Sequence, residues 1–181
     1  LGGAVIGKAD AITDLRKTSL IHLGAALNPF AAWLILRGLE TLPIRMKAHE
    51  GNARAVSSFL ETHRRVKRVY WPGALSHPQH DLAVRQMRNF SGMVSFVADD
   101  GPALARRFAD RLKTVAYAVS LGKTRSLLFH IPADDLIASS FRLEGDEAAA
   151  YRDWTGEGTF RLSVGLENAA DIIADLDAAL G

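Results

Sequence analysis

Apolar and polar residues alternate along Phe160-Arg161-Leu162-Ser163-Val164 with the period of two that a strand imposes. Phe160, Leu162 and Val164 are therefore expected on one face, and Arg161 and Ser163 on the other. The stretch that follows changes period. Ile172, Ile173, Leu176, Ala179 and Leu180 form the apolar stripe of a final helix that Asn168 caps, with Asp171 in its first turn suiting the helix dipole. Earlier, Asn28-Pro29 opens a helix in the favoured way, and Phe30, Trp33, Leu34 and Leu36 make it apolar nearly all round, which predicts burial. A second helix is expected over 43–62, with Met46, Ala53, Val56, Phe59 and Leu60 inward. Strands are expected over 66–71, 93–98, 115–121 and 126–130, and a short buried one over 1–7 between glycines. A helix after Asp99-Asp100-Gly101-Pro102 turns Leu104, Phe108 and Leu112 inward. Residues 8–28 read as loop and short helix, and 131–154 as a less regular lid or helix-loop segment. Strands interleaved with helices make this an α/β chain.

At 181 residues and 48% apolar content the chain can bury one substantial core, alone or with an attached piece. A charged fraction of 23% argues against wholesale disorder. The pI is about 9.1, yet the formal net charge is only +2, too little for a nucleic-acid partner without a concentrated basic stripe. The one basic cluster, His63 to Arg68, lacks aromatic platforms and reads as a solvated helix end and strand entry. With no cysteine, disulfides and thiolate-held metals are excluded, and a cytoplasmic location is compatible. No apolar run reaches the length of a membrane span, and the start, Leu1-Gly2-Gly3-Ala4-Val5-Ile6-Gly7, is not a signal peptide.

The chemistry-bearing candidates are few. A guanidinium held on a strand offers a planar fork that matches a carboxylate at two points, which makes Arg161 a candidate anion site. On spacing alone the pattern is that of a sheet-edge arginine paired with a nearby Asp or Glu. His77 and His80 flank Pro78 without a third ligand close by, so no metal site is expected. Gly122-Lys123-Thr124 resembles the end of a phosphate-binding loop, but the glycine such a loop requires at 117 is Tyr117.

Several separated segments resemble the Cys/Met-metabolism family of pyridoxal-phosphate enzymes: the cystathionine synthases and lyases, methionine gamma-lyases and homoserine-ester sulfhydrylases. Arg161-Leu162-Ser163-Val164-Gly165-Leu166-Glu167 is similar to the family's C-terminal signature. Residues 28–42 match its N-P-F-x-A-W-L run, Pro72 to His80 its P-G-L-x-S-H-P-x-H turn, and Val119-Ser120-Leu121-Gly122 its V-S-L-G. The resemblance implies the C-terminal part of a fold-type-I enzyme, with 1–42 as the tail of the cofactor-binding domain and start of the linking helices, and 43–181 as the small C-terminal domain. It implies that Arg161, Ser120 and Leu121 bind the substrate's α-carboxylate. It also implies pyridoxal 5′-phosphate as cofactor, an amino-acid substrate, the N-terminal part of the same enzyme as partner, and a homo-oligomer, expected as a tetramer. The S-x-x-K segment of the Schiff-base lysine has no counterpart here, so no catalytic residue is expected within the chain.

Two departures from the family matter. Arg125, in Thr124-Arg125-Ser126-Leu127, stands where many cystathionine-specific members have the carboxylate of V-E-S-L. It either disfavours a distal ammonium on the substrate or is a plain surface arginine. His130-Ile131-Pro132-Ala133 lacks the Thr-His that completes the family's H-P-A-x-x-T-H. Two functions follow: part of an enzyme that cleaves or forms C–S bonds by elimination or γ-replacement, or a non-catalytic association module exposing Phe30, Trp33 and Leu34.

Overall fold

The computed structural model describes residues 2–24 and 26–181; of the strand expected over 1–7, Leu1 lies outside them. Two compact units divide the chain, Leu1–Ile44 and Arg45–Gly181.

In the first unit, α1 (Ala9–Leu15) continues through a widened π turn, Arg16–Leu20, into α2 (Ile21–Leu23). Residues 2–7 pair with no strand and are exposed. That corrects the buried strand expected there: three of these residues are glycines, which offer no side chain to bury. Asn28 caps α3 (Pro29–Glu40), its side-chain oxygen accepting from the Ala31 amide at 2.8 Å. No residue of α3 is buried, and Phe30 is 68% exposed. Its all-round apolar surface therefore finds no full cover among the described residues of its own unit.

Helix α4 (Leu42–Thr62) leads into the second unit, where a five-stranded sheet has the order β1-β2-β5-β4-β3. The strands are β1 (Val66–Tyr70), β2 (Met93–Ala98), β3 (Ala116–Tyr117), β4 (Leu127–Pro132) and β5 (Gly158–Ser163). The last strand in sequence is thus the middle one in space, antiparallel to β2 and β4 on either side, while β3 runs parallel to β4 at one edge. The strand expected over 115–121 shrinks to two residues, because beyond Tyr117 the chain exposes Val119 and Leu121 and turns at Gly122 with φ +72. Between the strands lie α5 (His80–Gln86) and α6 (Gly101–Arg111). The stretch read as irregular contains α7 (Ala133–Ile137) and α8 (Gly145–Thr155), joined by an Arg152–Asp134 ion pair at 2.8 Å.

Alternation sorts the sheet into two faces. Val94 and Phe96 of β2, Leu128 of β4, and Phe160 and Leu162 of β5 are fully buried. They form one cluster with Ala53, Val56 and Leu60 of α4, Leu104 and Phe108 of α6, and Ile172, Leu176 and Leu180 of α9 (Ala169–Leu180). Phe96 stacks on Phe160 at 5.0 Å, and Phe108 meets Phe160 edge-on at 5.2 Å. Each such ring contributes about 1.5–3 kcal/mol by leaving water. The opposite face carries Ser95, Phe129, Arg161 and Ser163, with Arg161 paired in register to Ser95 on one side and Phe129 on the other.

Candidate functional site

Arg161 occupies the centre of that second face. Its guanidinium carbon sits 4.4 Å from the centre of the Phe129 ring, a cation over an aromatic face. Its Nε is buried and donates to nothing, and no ion pair among the described residues engages it. The pairing with a nearby Asp or Glu that spacing alone suggested is absent among those residues. A buried donor without an acceptor carries a desolvation cost, which an acceptor able to reach it would remove.

Two residues further on, Ser163 points to the same face, and its hydroxyl oxygen accepts from the Gly122 amide at 3.0 Å. That contact draws the Val119–Gly122 loop toward the middle strand. Ser120 lies half-buried in this loop, and Leu121 is exposed. The fold therefore attaches the Ser120 loop to the strand that carries Arg161 through Ser163, with no hydrogen bond between Ser120 and Arg161 themselves. Arg125, at the far end of the same loop, donates from Nε to the Thr114 carbonyl and from a terminal nitrogen to the Lys113 carbonyl, each at 3.1 Å. The facing side chain, Asp175, accepts from the Lys113, Thr114 and Val115 amides.

Sequence reasoning left Ser163, Ser126 and Glu167 without roles. Glu167 accepts from the Ser126 amide at 2.6 Å and from its hydroxyl at 2.9 Å, and that hydroxyl accepts in turn from the Gly165 amide at 2.8 Å. From the other side, α4 grips the same segment: the His49 ring lies 2.7 Å from the Val164 carbonyl, and Asn52 donates to the carbonyls of Gly165 and Glu167. The signal was present in the motif that surrounds Arg161, but its partners lie about forty or more residues away.

The histidines take structural parts. His80 lies 2.9 Å from the Pro72 carbonyl, and His77 accepts from the Gln79 amide at 3.1 Å. Burial, with the charge of His80 next, holds His77 below the ordinary histidine pKa. His130 packs on Phe160 at 4.8 Å on the core face, its buried Nε2 unpartnered. Burial lowers its pKa, with Glu157 and Asp135 pulling the other way. On α8, burial raises the Tyr151 pKa against an opposing hydrogen bond with Thr159. A cleft of about 980 Å³ opens along β1 between Arg54, Tyr70, Trp71 and Trp154, and Arg161 does not line it.

The described residues do not form a cradle for a covalently held carbonyl cofactor. Lys8, Lys17, Lys47, Lys67, Lys113 and Lys123 are all exposed, and Lys67 pairs with Asp99 at 2.6 Å, whereas a lysine that condenses with a carbonyl is activated by desolvation in a pocket. What the arrangement can do chemically is set by a strand-held guanidinium with an unanswered donor, a group that pairs with anions.

The family model for Cys/Met metabolism PLP-dependent enzymes matches residues 1–181. The chain is 38% identical to a canavanine gamma-lyase from Pseudomonas canavaninivorans, over 99% of this chain and 44% of that protein. It is 41% identical to an L-methionine gamma-lyase from Fusobacterium nucleatum subsp. polymorphum, with the same coverage. Among solved structures, cystathionine gamma synthase from Xanthomonas oryzae pv. oryzae in complex with cystathionine superposes with a TM-score of 0.78 at 38% identity, over 96% of this chain and 43% of that one. The chain thus spans less than half the length of the relatives it matches.

Proposed function

The chain belongs to the Cys/Met metabolism family of PLP-dependent enzymes, and from that membership we propose that it serves as the C-terminal part of a longer enzyme. That enzyme breaks or makes C–S bonds in sulfur amino acids or homoserine esters, by elimination or γ-replacement. Likeness to an L-methionine gamma-lyase and a cystathionine gamma synthase supports this class and leaves cleavage and formation equally placed, while the canavanine gamma-lyase supports chemistry at the γ-carbon without naming sulfur. In this reading residues 1–42 complete the cofactor-binding domain and begin the linking helices, and 43–181 are the small domain. The remaining polypeptide supplies the lysine that holds pyridoxal phosphate, and a homo-oligomer is the assembly that goes with it. When bound, the cofactor supplies an electron sink at the substrate's α-carbon.

This chain's share is orientation. Arg161 presents a fork of N–H donors to the substrate α-carboxylate, while Phe129 beneath the guanidinium restrains its swing. Ser120 and the adjoining Leu121 close on the same carboxylate from the loop that Ser163 holds. Fixing a substrate at two points removes rotational freedom before reaction, a term that reaches several kcal/mol in well-oriented systems. The observation that carries this reading is the buried, unanswered Nε of Arg161 on the middle strand.

The test is steady-state kinetics on the complete polypeptide with methionine, cystathionine and O-acylhomoserines. Arg161→Ala is expected to raise KM at least about a hundredfold, the loss of a charge-assisted bidentate contact. Arg161→Lys recovers only part, because a point charge cannot fork. Unchanged KM in Arg161→Ala would end the proposal. A second reading, a non-catalytic association module, has its own observation in Phe30, Trp33 and Leu34, which are 68%, 52% and 50% exposed. Intact mass separates the two: 19.6 kDa supports the module, and roughly twice that the enzyme, since the relatives are more than twice as long.

A further inference from the structure

We infer that Glu167 is a positioning residue: its carboxylate, through Ser126, locks the loop that carries Ser120 against the strand that carries Arg161. The inference rests on the reading of Arg161 and Ser120 as a carboxylate clamp.

The argument starts from where the loop is anchored. At its entry the Ala118 amide donates to the Leu128 carbonyl at 3.0 Å. In its middle the Gly122 amide donates to Ser163. At its exit four bonds tie it to the segment beyond β5: the Leu166 amide to the Thr124 carbonyl at 2.7 Å, the Gly165 amide to the Ser126 hydroxyl, and the Ser126 amide and hydroxyl both to Glu167. Ser120 lies between the first anchor and the second, and the second is a single bond at Gly122 just before Thr124 and Ser126, so the distance of Ser120 from Arg161 depends on the exit being held as well.

Glu167 is the only charged group in this set, and it takes both of its bonds from one residue. Ser126 is fully buried, so its amide depends on the carboxylate. Its hydroxyl donates to one carboxylate oxygen while accepting from Gly165, which polarises the chain of bonds in one direction. The close approach explains Gly165: a Cβ there would collide with the Glu167 carboxylate, the Thr124 carbonyl and the Ser126 amide. The strand end, the loop exit and the acid are packed with no room for a methyl group. Removing the acid leaves the Ser126 amide without its acceptor, and the loop exit must shift to find water. The guanidinium, fixed on β5 by Phe129, stays where it is.

The prediction is a split in kinetic behaviour. In the complete polypeptide, Glu167→Ala should raise KM for amino-acid substrates about tenfold, and weaken equilibrium binding of glycine by a similar factor, with kcat reduced less. Glu167→Gln keeps one carbonyl acceptor for the Ser126 amide and should recover most of that loss, which a merely structural acid would not show in KM. Glycinamide, which lacks the carboxylate, should bind wild type and variants alike. Should Glu167→Ala fail to fold, Ser126→Ala removes the bridging hydroxyl alone and is expected to weaken glycine binding a few-fold. Unchanged glycine affinity in a folded Glu167→Ala or Ser126→Ala protein, where Arg161→Ala loses it, overturns this inference alone. Unchanged affinity in Arg161→Ala overturns the clamp on which it rests.

Discussion

The two faces of β5 differ in what they still lack. On the inner face Phe160 and Leu162 are fully buried against three helices, and the apolar contacts there are complete. On the outer face, one residue away along the same strand, Arg161 has an aromatic ring beneath it and no acceptor for its Nε. The same backbone thus carries a finished packing surface and a surface that is finished only by something else. Substitutions on the inner face should cost stability, and those on the outer face should cost binding.

The largest effect expected is on the inner side. Phe160→Ala removes a ring in contact with Phe96, Phe108 and His130 and should destabilise the fold by about 3–5 kcal/mol, read as a fall in the urea midpoint. If the loss were below about 1 kcal/mol, the contrast between the faces would not hold. Arg161→Met, next door, should leave the midpoint unchanged or raise it by an amount equivalent to about 1 kcal/mol, because an unpaired buried donor disappears and the methionine can lie along Phe129. A clear drop in stability would mean that Arg161 belongs to the packing rather than to a site.

This contrast was partly legible beforehand, because alternation assigns faces. It separated Phe160 and Leu162 from Arg161 and Ser163, and the helical period found α9 and the inner side of α4. Strand order was not legible, since nothing local to β5 says that β2 and β4 flank it. Burial was misread for α3: an apolar surface all round requires cover, and periodicity does not say from where. The strand expected over 1–7 is not formed among residues 2–7, and that expected over 115–121 shortens to Ala116–Tyr117, where glycines and exposed apolar residues made β-propensity a poor guide. The contacts of Glu167 and Ser163 were hidden for a simpler reason: each joins residues 41 apart, a pairing that only the folded chain creates.

A smaller effect sits at the end of the inner face. His130 lies against Phe160, and a Cβ at Gly101 or Gly158 would crowd its ring. Burial depresses its pKa, with Glu157 and Asp135 opposing. Well above the ordinary histidine pKa of about 6.5 the ring is neutral in both folded and unfolded chains. As the pH falls through that value the unfolded chain takes the proton first, so stability is lost until the folded ring titrates as well. Urea midpoints between pH 7.5 and 5 should therefore fall, with His77 adding to the same window because its pKa is also lowered. His130→Gln should flatten the fall, and an unaltered slope would remove His130 as its source.

The smallest effect expected tests the outer side at its margin. Arg125 is exposed, and the carbonyls of Lys113 and Thr114 hold its guanidinium. We propose that its charge still biases substrate choice at the root of the Ser120 loop, against a distal ammonium and toward neutral or acidic side chains. Solvent screening limits the influence of an exposed charge. Arg125→Glu should therefore shift the ratio of kcat/KM for cystathionine over an O-acylhomoserine by only about threefold, in favour of cystathionine. The variant also places a carboxylate near the two carbonyls and Asp175, so the loop should loosen and KM should rise for both substrates. The ratio isolates the charge, because a loosened loop moves both values together. A ratio that stays constant while both KM values rise would reduce Arg125 to a fastener of the 113–114 turn, and the preference would have to come from outside this chain.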